Sequence, residues 1–317
     1  MSGFGEFEFI ADLLAPLAGD TAFNLTDDAA LLPRLGHGEA WTVTKDAMVE
    51  GVHFLPDDPA DLIARKLLRV NLSDLAAMGA RPAGYMLSLS LDRTKGRDWL
   101  ASFCAGLAED QRTFVISLFG GDTTSTPGPA SFSLTAFGAV RRGAELRRNG
   151  AQPGDRVFVS GTLGDAALGL RVLQQQAVVS DQDADYLGGR YRLPQPRVAL
   201  GQALVGRASA CLDVSDGLLA DLGHIAKHSA VGIEIDLAAV PVSDATRRLI
   251  GADPDLAHIA LNGGDDYELA FTLPAGAGLP EAAVQVTQIG RVIDGAGVKV
   301  MRDGQPVTVN RPGWRHF

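Results

Sequence analysis

Twice along this chain, strand-like alternation of apolar and polar residues gives way to helical periodicity and back. A turn-rich joint separates the two rounds. That order restricts the fold to sheets covered by helices. In the first round "AWTVTKDAMV" reads as a strand, residues 60–78 as an amphipathic helix and "AGYMLSLSLD" as a strand. A helix over 97–110 and the strands "FVISLFGGD" and "SFSLTAFGAV" follow, and a helix over 4–17 precedes them all. The joint is "RRNGAQPGDRVFVSG", where Asn149-Gly150 and Pro153-Gly154-Asp155 are turn signals and "RVFVSG" opens a new strand. The second round runs through a helix over 165–175, the strand "ACLDVSD", a helix from Gly217, then "GIEIDL", "DYELAFTLP" and short strands to the end. The expected class is α/β or α+β in two lobes, with domains at 1–148 and 149–317.

A length of 317 residues fits two domains, and a hydrophobic fraction of 46% is enough for a core in each. Acidic residues outnumber basic ones 38 to 28, for a net charge of −10, which argues against a broad nucleic-acid surface. The two cysteines, Cys104 and Cys211, make neither a disulfide framework nor a zinc motif and read as reduced thiols of a cytoplasmic protein. The opening "MSGFGEFEFIADLL" is too acidic for a signal peptide, and no apolar run approaches membrane-spanning length.

The helix over 60–78 contains an anomaly. Ile63, Leu67, Val70 and Met78 fall within roughly 40° of one direction at about 100° per residue, and Asp74 lies in the middle of that stripe. A carboxylate facing a core is costly unless something meets it. Other aspartates stand at strand ends or beside glycines: Asp28 before "AALL", Asp46 after "WTVTK", Asp122 after "LFGG", Asp213 and Asp216 around "VS", and Asp265 after "NGG". Singly, each has a structural reading: Asp28 as a turn residue, Asp216 as a helix N-cap, Asp74 as a cap on a neighbouring helix. Together, with only five lysines in the chain, they point to hard-oxygen ligation of Mg²⁺. There is no Gly-Lys dipeptide, hence no P-loop, and no H-E-x-x-H or G-x-S-x-G.

The segments "DDAALL", "TKDAMVEGVHF", "VNLSDLAAMGARP", "GGDTTS", "RRNGAQPGD", "LDVSDGLLADLGHI" and "GGDDYEL" occur in an order that resembles the thiamine-monophosphate kinase family. "NLSDLAAMGA" with "GGDTT" is shared with a wider superfamily that includes aminoimidazole ribonucleotide synthetase, selenophosphate synthetase and a hydrogenase-maturation protein. The resemblance implies an N-terminal sheet that forms a barrel across a homodimer, a C-terminal α/β lobe, and transfer from ATP to thiamine phosphate by a direct in-line route with several Mg²⁺ ions. Carried over by motif, it implies Asp28, Thr44, the Lys45 backbone, Asp46, Asp74, Asp122, Asp213 and Asp216 at the metals. Gly121, Asp122, Arg148 and Ser215 fall at ATP, and His53, Asp265 and Trp314 at thiamine phosphate. Trp314 also reads as a tail anchor. Two positions depart from the family pattern: Lys45 stands where Thr or Ser is common, and Asp265 where glutamate often follows "GG". The alternatives are an aminoimidazole ribonucleotide synthetase-like enzyme and a non-catalytic nucleotide-Mg²⁺ binding protein.

Overall fold

The computed structural model describes residues 6–26, 29–92 and 94–307. The chain divides into two compact units, Met1–Leu75 with Ala80–Arg142, and Ala76–Gly79 with Gly143–Phe317. Among the described residues no helix is long and apolar enough to cross a membrane.

The first unit opens with a short helix, α1 (Glu6–Phe9), followed by a π turn, Ile10–Leu14, and a 3₁₀ turn, Ala15–Leu17. The single helix expected over 4–17 is therefore broken. Pro16 has no amide hydrogen and cannot continue an i→i−4 ladder, so the last turn tightens around it. Then come β1 (Glu39–Val49), α2 (Ala60–Ala77), β2 (Arg81–Leu91), α3 (Arg97–Phe114), β3 (Ser117–Ser125) and β4 (Ser131–Arg141). The strands form an open sheet in the order β1-β4-β2-β3, antiparallel except for β2 with β3.

Burial in this sheet alternates with the strand period. Leu87 and Leu89 of β2 and Phe132, Leu134 and Ala136 of β4 are buried, while Met86, Ser88, Ser133 and Thr135 between them keep solvent exposure. The buried face meets α2 and α3: Phe103 of α3 packs on Phe132 at 5.4 Å, and Gln111 of α3 donates to the Tyr85 hydroxyl of β2 at 3.0 Å. α3 runs four residues past the expected end at 110. Val115 then takes a left-handed φ of 52° as its cap, so β3 starts at Ser117 and not at residue 114. The β-forming run "TFVIS" is overridden by completion of the last helical turn.

The second unit contains β5 (Arg156–Ser160), α4 (Asp165–Leu173), α5 (Asp181–Arg192), α6 (Val198–Leu204), β6 (Ala210–Val214), α7 (Leu218–Ser229), β7 (Gly232–Asp236), α8 (Asp244–Ala252), α9 (Ile259–Asn262), β8 (Glu268–Leu273), β9 (Val286–Ile293), β10 (Gly297–Arg302) and β11 (Gln305–Val307). Its seven strands run β11-β10-β7-β9-β5-β8-β6. Both faces of this sheet are covered, as its near-continuous apolar strands require. Val157, Val159, Leu212 and Val214 join one core with Leu222 and Ile225 of α7. Phe158, Leu269 and Phe271 join another with Leu200 and Leu204 of α6.

Candidate active site

Asp74 keeps partial exposure at the corner where α2 crosses β1, and Thr44 donates its hydroxyl to the Asp74 carboxylate at 2.5 Å. Thr44 and Asp46 are two apart on β1 and share a face, so both reach α2. The Asp46 amide donates to Asn71 Oδ1 at 3.1 Å, while Asn71 is fully buried and donates to the Leu67 carbonyl at 2.9 Å. Burial, then the charge of Asp74 and a hydrogen bond with it, push the Asp46 carboxyl up to about 7. Two carboxylates and a hydroxyl with this mutual repulsion form a donor set that suits a hard divalent cation. Lys45 points the other way: its ammonium donates to Ser133 Oγ at 2.6 Å on the opposite face, so only its backbone is available at this corner.

Gly121 and Asp122 stand on β3, at the far edge of the same sheet. A Cβ on Gly121 would lie 1.9 Å from the Leu87 carbonyl oxygen, so the close β2–β3 pairing demands glycine there. Asp122 pairs with Ser88 and Ser133 in a cross-strand row of exposed and half-exposed positions, whereas Asp46 pairs with Leu134 and Leu87 in the adjacent buried row. Asp122 and Asp46 therefore sit at one level of the sheet, on opposite faces and three strand spacings apart, roughly 14 Å. Among the described residues no three His, Cys, Asp or Glu side chains gather into a metal site. His53, in the turn after β1, accepts the Val49 amide at Nδ1 at 3.1 Å, and Lys66 donates to its carbonyl at 3.0 Å.

In the second unit, Asp213 is buried near the end of β6, and Ser215, Asp216 and Gly217 turn into α7. Gly217 has a φ of 113°, which leaves three successive amides, of Ser215, Asp216 and Gly217, converging on Asp221 Oδ2 at 3.0, 3.1 and 3.1 Å. Burial and the charge of Asp216 hold the Asp221 carboxyl up to about 7 against those donors. The "NGGDDYEL" segment closes on this turn: the Asp265 amide donates to the Ser215 carbonyl at 2.9 Å and the Tyr267 amide to that of Val214 at 2.8 Å. Ser215, Asp216 and Asp265 thus share one corner. The Arg148 backbone stands at the other end of α7, its carbonyl accepting from Ser229 Oγ at 3.4 Å. The Arg148 charge reaches along α7 to His224, whose pKa is lowered by burial first and by Arg148 next.

Nine of the expected residues therefore fall into three groups: Thr44, Asp46 and Asp74; Gly121 and Asp122; and Asp213, Ser215, Asp216 and Asp265, with Lys45, His53 and Arg148 placed as described above. Asp28 and Trp314 lie outside the described residues. Asn71 and Asp221 are not singled out by the sequence, and Asp266 is marked there only as the second acid after "NGG". For Asn71 a signal existed, since it lies one turn before Asp74 on the same helix. For Asp221 there was none, because what distinguishes it is the backbone that folds around it.

Residues 26–140 match the AIR synthase related protein N-terminal domain, and residues 152–303 match the AIR synthase related protein C-terminal domain. The first match falls almost wholly in the first unit and the second lies within the second, so the chain is of this two-domain class. Relatives across the full length narrow it. The thiamine-monophosphate kinase of Caulobacter vibrioides is 46% identical over 98% of this chain and 90% of its own, and that of Escherichia coli 45% over 99% and 98%. The structure of AaThiL complexed with AMPPCP and TMP superposes with a TM-score of 0.81 at 31% identity, covering 100% of this chain and 98% of the other. The chain belongs to the thiamine-monophosphate kinase family.

Proposed function

We propose that this chain transfers the γ-phosphoryl group of ATP to thiamine phosphate, giving ADP and thiamine diphosphate. The observation that carries the reading is the full-length match to AaThiL, a protein solved with AMPPCP, an ATP analogue, and TMP. The acceptor is a phosphate oxygen already ionised near neutral pH, so the reaction needs no strong base. The obstacle is repulsion between two polyanions, and the proposed route is direct in-line transfer. Asp28, Thr44, the Lys45 carbonyl, Asp46, Asp74, Asp122, Asp213 and Asp216 are the proposed Mg²⁺ ligands. Bound Mg²⁺ supplies charge neutralisation at the phosphates. Gly121, Asp122, Arg148 and Ser215 are assigned to ATP, and His53, Asp265 and Trp314 to thiamine phosphate. A cavity of ≈ 210 Å³ in the first unit, with Leu14, Leu25 and Phe119 on its apolar wall and Gly121 and Asp122 on its rim, supports a nucleotide contact there. The two buried, free cysteines fit a cytoplasmic enzyme.

The proposed assembly is a homodimer in which the N-terminal sheets of two copies close a barrel. The placement of Asp122 supports it. Asp122 is roughly 14 Å from Asp46 and Asp74 of its own sheet, too far to share an ion, and a two-fold copy that sets β3 of one protomer beside β1 of its partner cuts that separation to one strand spacing. The test of function is ADP release with Mg²⁺ and a panel of acceptors. Release that requires thiamine phosphate and yields thiamine diphosphate is expected. Release with an aminoimidazole precursor, and none with thiamine phosphate, would falsify the assignment.

A further inference from the structure

Asp265 stands on a segment with an unusual backbone. Asp265 and Tyr267 both adopt left-handed conformations, with φ of 69° and 51°. Aspartate tolerates that region; an aromatic residue rarely adopts it. Such strain persists where the surroundings over-determine it, and here they do. The amides on either side of Asp266 are tied to β6 through the Ser215 and Val214 carbonyls. Asp266 itself is buried and accepts from the Gly164 amide at 2.7 Å, at the start of α4. The next residue but one, Glu268, is fully buried and accepts from Arg190 at 2.9 Å, Arg197 at 2.6 Å and Ser160 at 2.6 Å. Gly161 leaves the space for it, since a Cβ there would come within 2.2 Å of Glu268 Oε1.

One consequence of this backbone is that residues 265 and 267 bring their side chains together. The Tyr267 hydroxyl donates to Asp265 Oδ1 at 3.3 Å. Thiamine phosphate carries an aminopyrimidine at one end, a phosphate at the other and a cationic thiazolium between them. A carboxylate complements the aminopyrimidine and the thiazolium and repels the phosphate, so its orientation decides which part of the substrate it meets.

We infer that Tyr267 is a positioning residue for thiamine phosphate: its phenol orients the Asp265 carboxylate toward the thiazolium and aminopyrimidine rings and away from the phosphate, on a backbone imposed by the buried contacts of Asp266 and Glu268. The inference rests on the assignment of Asp265 to the substrate site. It is tested with Tyr267→Phe, Asp265→Gly and the double variant, since glycine keeps the left-handed backbone while deleting the carboxylate.

Tyr267→Phe is expected to raise KM for thiamine phosphate about three- to tenfold, the range of one ordinary hydrogen bond, as suits a contact as long as 3.3 Å. KM for ATP, kcat and melting temperature are expected to stay put. Asp265→Gly is expected to raise the same KM further, and adding Tyr267→Phe to it to change nothing more. Additive effects in the double variant overturn the inference, as does a lower melting temperature with both KM values moved together. A raised KM in Asp265→Gly with an unaltered one in Tyr267→Phe overturns the positioning role and leaves Asp265 in the site. An unaltered KM in Asp265→Gly removes Asp265 from the site and the inference with it.

Discussion

Asp46 and Asp74 repel each other across the corner of β1 and α2, and that repulsion separates a ligand from a structural acid. Asn at position 74 keeps an oxygen for the Thr44 hydroxyl but removes one charge. Asp74→Asn is therefore expected to melt no lower than the parent without Mg²⁺, and to lose about 10²-fold or more in kcat/KM with it, the scale of removing a group that stabilises transition-state charge. A melting temperature that drops with turnover intact would make Asp74 a structural residue. Asp74 was legible because it interrupts an apolar stripe, whereas Thr44 and Lys45 were joined to Asp46 by the family resemblance, and only the structure shows the Lys45 side chain on the opposite face. Asp221 was not legible. It caps three amides because Gly217 bends the chain around it, at a φ of 113° and with the Asn262 backbone 2.7 Å from where a Cβ would stand, so that only glycine fits there.

At the scale of elements, the strongly periodic segments behaved as read and the polar ones did not. The helix expected over 60–78 spans Ala60–Ala77, and the expected strand "SFSLTAFGAV" spans Ser131–Arg141. By contrast, α5 was missed. Its sequence "DQDADYLGGRYR" has no clean apolar stripe and contains two adjacent glycines. It is helical because Ser180 caps it, accepting from the Asp183 amide at 3.2 Å, and because small residues let it lie close to α4. A Cβ on Gly169 would come within 2.0 Å of the Leu187 carbonyl. The same physics acts at β3, where it bears on function. Gly121→Ala forces β3 away from β2, since the obstructing atom is backbone and cannot rotate aside. It is expected to cost about 2 kcal/mol of stability and to raise KM for ATP, because Asp122 moves with the strand. Calorimetry and steady-state kinetics on the one variant check both. An unaltered KM for ATP would remove the β3 edge from the nucleotide site.

For the whole molecule, the distribution of acids over the N-terminal sheet makes oligomeric state a catalytic question. Asp46 and Asp74 lie at the β1 edge under α2, and Asp122 at the β3 edge on the opposite face, with β4 and β2 between them. No pattern in one sequence reveals this separation, because both motifs read alike as acids at strand ends. If two copies complete each other's sites, Asp46→Asn and Asp122→Asn are defective on different sides of the same site. Each homodimer is then inactive. In a mixed dimer, one site carries both substitutions and the other carries neither. Unfolding and refolding the two variants together in equal amounts is expected to restore roughly a quarter of parental activity, as half the dimers are mixed and each mixed dimer has one intact site. The variants refolded separately are expected to restore none. If the acids of one chain act together, co-refolding restores nothing, because every chain still carries a defect. Light scattering on the same samples reads the mass, and a monomer at micromolar concentration would exclude the shared site outright.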